Sequence, residues 1–126
     1  VGESTWHLDD GVLFCEPEGS GWLKTADTYG DFTLKLGFAL SEGCNSGVFV
    51  RTDEGGRPAF RGMEVQLLDD HGADPSVKST GAIYAAREPA ENAMRPAGEW
   101  NALTVRAVGS RVTARLNGVT IHDIDL

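Results

Sequence analysis

Asp31–Leu40 reads DFTLKLGFAL. Phe32, Leu34, Leu36, Phe38 and Leu40 fall on one side of an extended chain, and Thr33, Lys35, Gly37 and Ala39 on the other. That alternation is the period of a strand with one face buried and one wet, and it predicts a strand over 31–40. Working outward, the same period recurs in short runs. Strands are expected at Thr5–Leu8, Val12–Glu16, Trp22–Thr25, Cys44–Thr52, Gly62–Asp69, Gly81–Ala86, Trp100–Val108, Arg111–Leu116 and Val119–Ile124. Asp9-Asp10-Gly11, Gly19-Ser20-Gly21 and Gly109-Ser110 read as turns, and Asn117-Gly118 carries the residues preferred in a type I′ hairpin turn. The polar connection DEGGRPAF, the stretch Asp70–Ser79 and the proline-bearing Arg87–Gly98 read as loops. Helical periodicity is nearly absent. The expected architecture is all-β: an antiparallel two-sheet sandwich of the jelly-roll kind, with residues 1–126 as one domain.

Composition limits the function classes. The 126 residues are 40% hydrophobic and 24% charged, an ordinary globular mixture with no apolar run long enough for a membrane span. A net charge of −8 repels phosphate backbones, which argues against a nucleic-acid partner. The two cysteines, Cys15 and Cys44, are too far apart for a Cys-x-x-Cys motif, and either a disulfide or two separate thiols fits them. No Gly-x-Ser-x-Gly elbow, His-Glu-x-x-His, phosphate-binding loop or dinucleotide fingerprint is present.

What remains is a set of polar residues embedded in strands. In CNSGVFVR, Asn45, Gly47, Phe49 and Arg51 share one face, opposite Ser46, Val48 and Val50. In GMEVQLLDD, Glu64 and Gln66 alternate with Met63, Val65 and Leu67. If the two strands are neighbours, a guanidinium, a carboxylate and two amides converge on one sheet face. Pattern alone favours a solvated outer face, since half-buried antiparallel sheets normally look this way. Amides and glycine are poor strand formers, however, and have no reason to crowd an exposed face. The loop LDDHGADPS gathers Asp69, Asp70, His71 and Asp74. It reads first as a solvated acidic loop, and second as a place where a divalent metal ion or a substrate could be held. Trp22, Tyr84 and Trp100 fit a core, or else platforms for a sugar ring. His7 and His122 sit in apolar runs and read as structural.

Taken in order, W-x-L-D-D-G-V-L, G-W-L-x-T-x-x-x-Y-x-D-F-x-L, N-S-G-V-F-V-R, G-M-E-V-Q-L-L-D, T-G-A-I-Y, G-E-W-N and L-N-G resemble the 3-keto-disaccharide hydrolase domain family. The resemblance runs from Trp6 to Asp125 and implies a concanavalin A-like lectin/glucanase jelly roll. This chain resembles a member trimmed at both ends, lacking an opening strand segment and a closing strand. The resemblance also implies a carbohydrate substrate, a glycoside whose carbon-three hydroxyl is oxidised to a ketone, and an extracytoplasmic location. A ketone acidifies the neighbouring hydrogen, so a base can remove it and the anomeric substituent can leave by elimination, followed by hydration. Glu64 is the expected base, Arg51 (or a metal near it) the enolate stabiliser, and Asn45 and Gln66 the orienting amides. His71 or Asp69 is the alternative base, because Arg51 beside Glu64 would weaken the latter. Tyr84 and Trp100 complete the expected substrate contacts. A non-catalytic carbohydrate-binding module is the competing reading. A glucanase-type hydrolase would want two acids where Glu64-x-Gln66 offers one.

Overall fold

Phe32–Phe38 forms β3 in a computed structural model that describes residues 5–16, 21–52 and 62–126. The expected side of β3 faces inward, with Phe38 at its end and Leu40 just beyond it both buried. β1 (Trp6–Asp9) and β2 (Val12–Cys15) make a hairpin, and β4 (Asn45–Val50) pairs with β5 (Met63–Leu68). β6 (Asn101–Val108), β7 (Arg111–Leu116) and β8 (Val119–Asp125) form a meander that β3 joins, in the order β3-β6-β7-β8. Every pairing is antiparallel, and no helix occurs among the described residues.

The four-stranded sheet and the β4–β5 pair face one another across a shared core. Leu103, Val105 and Ala107 of β6, with Val112, Ala114 and Leu116 of β7, are at most 2% exposed, and they cluster with Val50, Val65 and Leu67 of the β4–β5 sheet. Burying each such valine or leucine contributes roughly 1.5–3 kcal/mol, so this apolar layer is what holds the sandwich closed. Alternation then dictates that the opposite side of β4–β5 faces away from the core. This is the all-β antiparallel sandwich expected from the sequence.

Two irregularities place the polar side chains. A bulge in β8 opposite Ala114/Arg115 breaks its alternation, so that the consecutive residues Ile121 and His122 are both buried. Gly81 (φ 83°) donates to the Gln66 carbonyl while Gln66 N–H donates to the Ala82 carbonyl, so two residues oppose one beside β5. Gly118 (φ 82°) follows Asn117 (φ 50°) in the two-residue turn of the β7–β8 hairpin, as the type I′ reading requires.

Some expected strands are absent. Trp22–Thr25 forms none, and residues 21–30 are exposed throughout; an alternating run becomes a strand only where a neighbour supplies an edge. Gly81–Ala86 reduces to a single bridge at Ile83, because Tyr84–Ala86 turn the chain (Ala85 φ 58°) and Ile83 bonds back to Arg87. β4 stops at Val50, where Arg51 adopts a left-handed conformation (φ 55°). DEGGRPAF and the Gly19-Ser20 part of the expected turn lie outside the described residues. Cys15 and Cys44 are free thiols.

Candidate active site

The register of β4 on β5 sets Phe49 opposite Glu64, Gly47 opposite Gln66 and Asn45 opposite Leu68. Directly opposed residues share a face, so Asn45, Gly47, Phe49, Glu64 and Gln66 lie together on the side turned away from the core. Residues 82–84 extend this floor on the other edge of β5. Tyr84 N–H donates to the Glu64 carbonyl at 2.9 Å and Val65 faces Ile83, which puts Tyr84 alongside Glu64. Along the backbone Glu64 is thus flanked by Phe49 on one side and Tyr84 on the other.

Gln66 is only 3% exposed although it points away from the core. Its Nε2 donates to Asn45 Oδ1 at 3.2 Å, which fixes the Asn45 amide and leaves the Asn45 Nδ2 hydrogens for another acceptor. Burial pushes the Glu64 carboxyl above the ordinary carboxylate range. A carboxylate weakly solvated in this way is the better base.

The other expected site residues are placed as follows. Arg51 does not pair with Glu64: its guanidinium lies 3.9 Å from Asp31 Oδ1, at the start of β3. The left-handed turn at Arg51 is the cause, because it ends the alternation that would have aimed the side chain with Asn45 and Phe49. His71 lies beyond the far end of β5, and Glu64 to Leu68 alone spans roughly 13 Å of strand. The His71 Nδ1–H donates to the Met94 carbonyl at 2.6 Å, which leaves Nε2 as its basic nitrogen. Asp69 Oδ2 accepts from Gly43 N–H at 2.9 Å and caps the turn before β4. Trp100 rests on Gly37, on the outer face of the four-stranded sheet, and is not brought together with Glu64.

The acidic loop is tied into the fold. Asp70 accepts from Thr80 N–H at 2.8 Å and from Thr80 Oγ1 at 2.7 Å, and Leu68 N–H donates to the same Thr80 oxygen. No group of three or more His, Cys, Asp or Glu among the described residues is arranged to hold a metal ion. A cleft of about 510 Å³ lies elsewhere, between residues 87–90 and β8, and does not include Glu64.

Four contributors lie outside the expected site residues. Phe49 was seen only as part of an alternating face, yet the register makes it a flank of Glu64. Thr80 is fully buried and holds the end of β5 to Asp70. Asn101 and Asn117, from the two shortest motifs, bond to each other at 2.9 Å. A buried-position threonine or asparagine beside a glycine turn was the available signal, but it does not name its partner.

Known proteins share this fold. Solved structures of candidate glycosyl hydrolases from Parabacteroides distasonis superpose on the chain. One has a TM-score of 0.81 at 29% identity, covering 96% of this chain and 63% of its own. A second has a TM-score of 0.81 at 26% identity, covering 97% and 63%. A third has a TM-score of 0.69 at 25% identity, covering 98% and 57%. The chain therefore spans 63% or less of the length of these structures. No curated protein sequence matches it. The family model described as the 3-keto-alpha-glucoside-1,2-lyase-like domain matches residues 1–126, and the chain belongs to that 3-keto-disaccharide hydrolase family.

Proposed function

We propose that the protein containing this chain is a glycosidase-like enzyme that cleaves 3-keto-glycosides by elimination and hydration, with Glu64 as the base. The observation that carries this reading is the Glu64 carboxyl. It is desolvated by burial, is flanked along the backbone by Phe49 and Tyr84, makes no ion pair among the described residues, and stands on the floor that holds the fixed Asn45–Gln66 amides. Glu64 takes the hydrogen from carbon two of the keto sugar, and that electron pair forms the carbon one–carbon two double bond as the anomeric oxygen departs. The departing oxygen takes a proton from water, the hydroxide so formed adds at carbon one, and carbon two regains a proton from Glu64 after that proton has exchanged with solvent, which gives the free keto sugar and restores the carboxylate. Asn45 Nδ2 orients a ring oxygen, and Tyr84 presents its ring edge to the sugar. Arg51 is outside this set because its guanidinium faces Asp31. The proposed location is extracytoplasmic, where glycan substrates are met.

The test is to incubate the full-length protein with a 3-keto-glucoside in deuterated water and follow the products by mass spectrometry. Aglycone release with deuterium at carbon two is expected from the native protein, and neither from Glu64→Gln. Tight binding of the unoxidised sugar without turnover of the keto form would instead establish a carbohydrate-binding module.

A further inference from the structure

We propose that Gly47 is a positioning residue for Glu64, its missing side chain being the space in which the Glu64 side chain lies. The kinetic part of this inference rests on the proposed function; the structural part does not. Glycine weakens the interior of a strand, and Gly47 sits in the middle of β4 with both neighbours in register. Its backbone does not call for glycine, since it is not among the residues with positive φ. What calls for glycine is the diagonal neighbour on β5. A methyl group on Gly47 would fall 2.8 Å from Cγ and 2.9 Å from Cδ of Glu64, with Oε1 nearer still.

The contact at Cγ matters most. A clash at the carboxylate tip alone could be relieved by turning the outer torsions, with the rest of the side chain unmoved. A clash at Cγ requires rotation about the Cα–Cβ bond, and that swings the whole carboxylate off the floor. The strand itself accepts alanine, so the fold survives while the base is displaced. A displacement of about 1 Å at a reacting group costs on the order of 100-fold in rate.

Gly47→Ala is therefore expected to lower kcat on a 3-keto-glucoside by about 100-fold with KM little changed. A carbon-13 NMR titration of the Glu64 carboxyl is expected to move towards the ordinary carboxylate range in the same variant. The paired variant Gly47→Ala/Glu64→Ala is expected to melt no lower than Glu64→Ala alone, because no side chain remains to be displaced. A Glu64 titration identical in Gly47→Ala and native protein would overturn the inference, whether or not turnover changed. If Gly47→Ala does not fold, the paired variant decides: folding supports the inference, and failure to fold overturns it. Should native protein show no turnover of the keto sugar, the proposed function fails, and the titration alone decides this point.

Discussion

Asn117 donates its side-chain N–H to Asn101 Oδ1 at 2.9 Å, so the two shortest motifs of the sequence, G-E-W-N and L-N-G, meet in a single joint. The same Asn101 oxygen accepts from Arg95 N–H, and Asn117 also donates to the Ala93 carbonyl. The joint fixes residues 93–95 against β6, and Met94 in turn supplies the carbonyl that holds His71. Asn101 is 2% exposed, so its removal leaves buried donors unpaired. Asn101→Ala is expected to cost about 1–3 kcal/mol in urea unfolding, with Glu64 chemistry retained in the folded fraction.

Glu64 carries a stability cost. Its folded-state pKa lies above the ordinary glutamate value of 4.5 because burial penalises the charged form. The folded state therefore holds its proton more tightly than the unfolded one, and stability falls as pH rises from 4.5 through the folded pKa. Glu64→Gln is expected to raise the melting temperature at pH 7 and to lose that advantage below about pH 4, as seen in thermal scans across pH. The same variant is expected to lose about 100-fold or more in turnover.

Arg51 makes the opposite case. Its pair with Asp31 is long at 3.9 Å, and both side chains are substantially exposed. Such pairs contribute about 0–1 kcal/mol. Arg51→Ala is expected to leave the melting temperature nearly unchanged and to alter kcat by less than about threefold, under 1 kcal/mol of barrier. A loss of turnover matching that of Glu64→Gln would return Arg51 to the site.

His122 gives acid sensitivity at a point away from Glu64. The ring is 4% exposed, and its Nε2 bonds to the Gly81 carbonyl at 2.7 Å. Burial lowers its pKa, the bond to Gly81 works the other way, and Arg87 nearby lowers it further. The unfolded chain takes up the proton first, so stability is lost as pH falls from about 6.5 towards the folded pKa. Native protein is expected to lose more melting temperature between pH 7 and 5 than His122→Gln does.

The alternation of DFTLKLGFAL, MEVQLL and RVTARL made the sandwich legible, because period two reports which side of a strand is buried. The same parity sets Glu64 beside Gln66 and Asn45 beside Phe49 on their own strands, and the pairing of β4 with β5 joins the two sets. Parity failed wherever backbone conformation changed hand. Arg51 left the face through a positive φ that arginine seldom adopts, and the β8 bulge buried Ile121 and His122 in succession. Register was also hidden. Nothing in the order of residues says that Phe49 faces Glu64, that Asp69 caps the Gly43 turn, or that Trp100 belongs to the far sheet.

The four-stranded sheet is assembled from unequal spans of chain. β6, β7 and β8 are joined by two-residue turns at Gly109-Ser110 and Asn117-Gly118, whereas Phe38 meets Asn101 from 63 residues away. Closing the short turns costs little chain entropy, and the long closure is compensated only when β3 finds an edge already in place. The meander is expected to nucleate folding, with β3 and the Glu64 floor ordering afterwards. Val112→Ala should then slow refolding in stopped-flow experiments, and Leu36→Ala should chiefly speed unfolding. The chemistry of this domain would be the last thing the chain acquires on folding and the first it gives up.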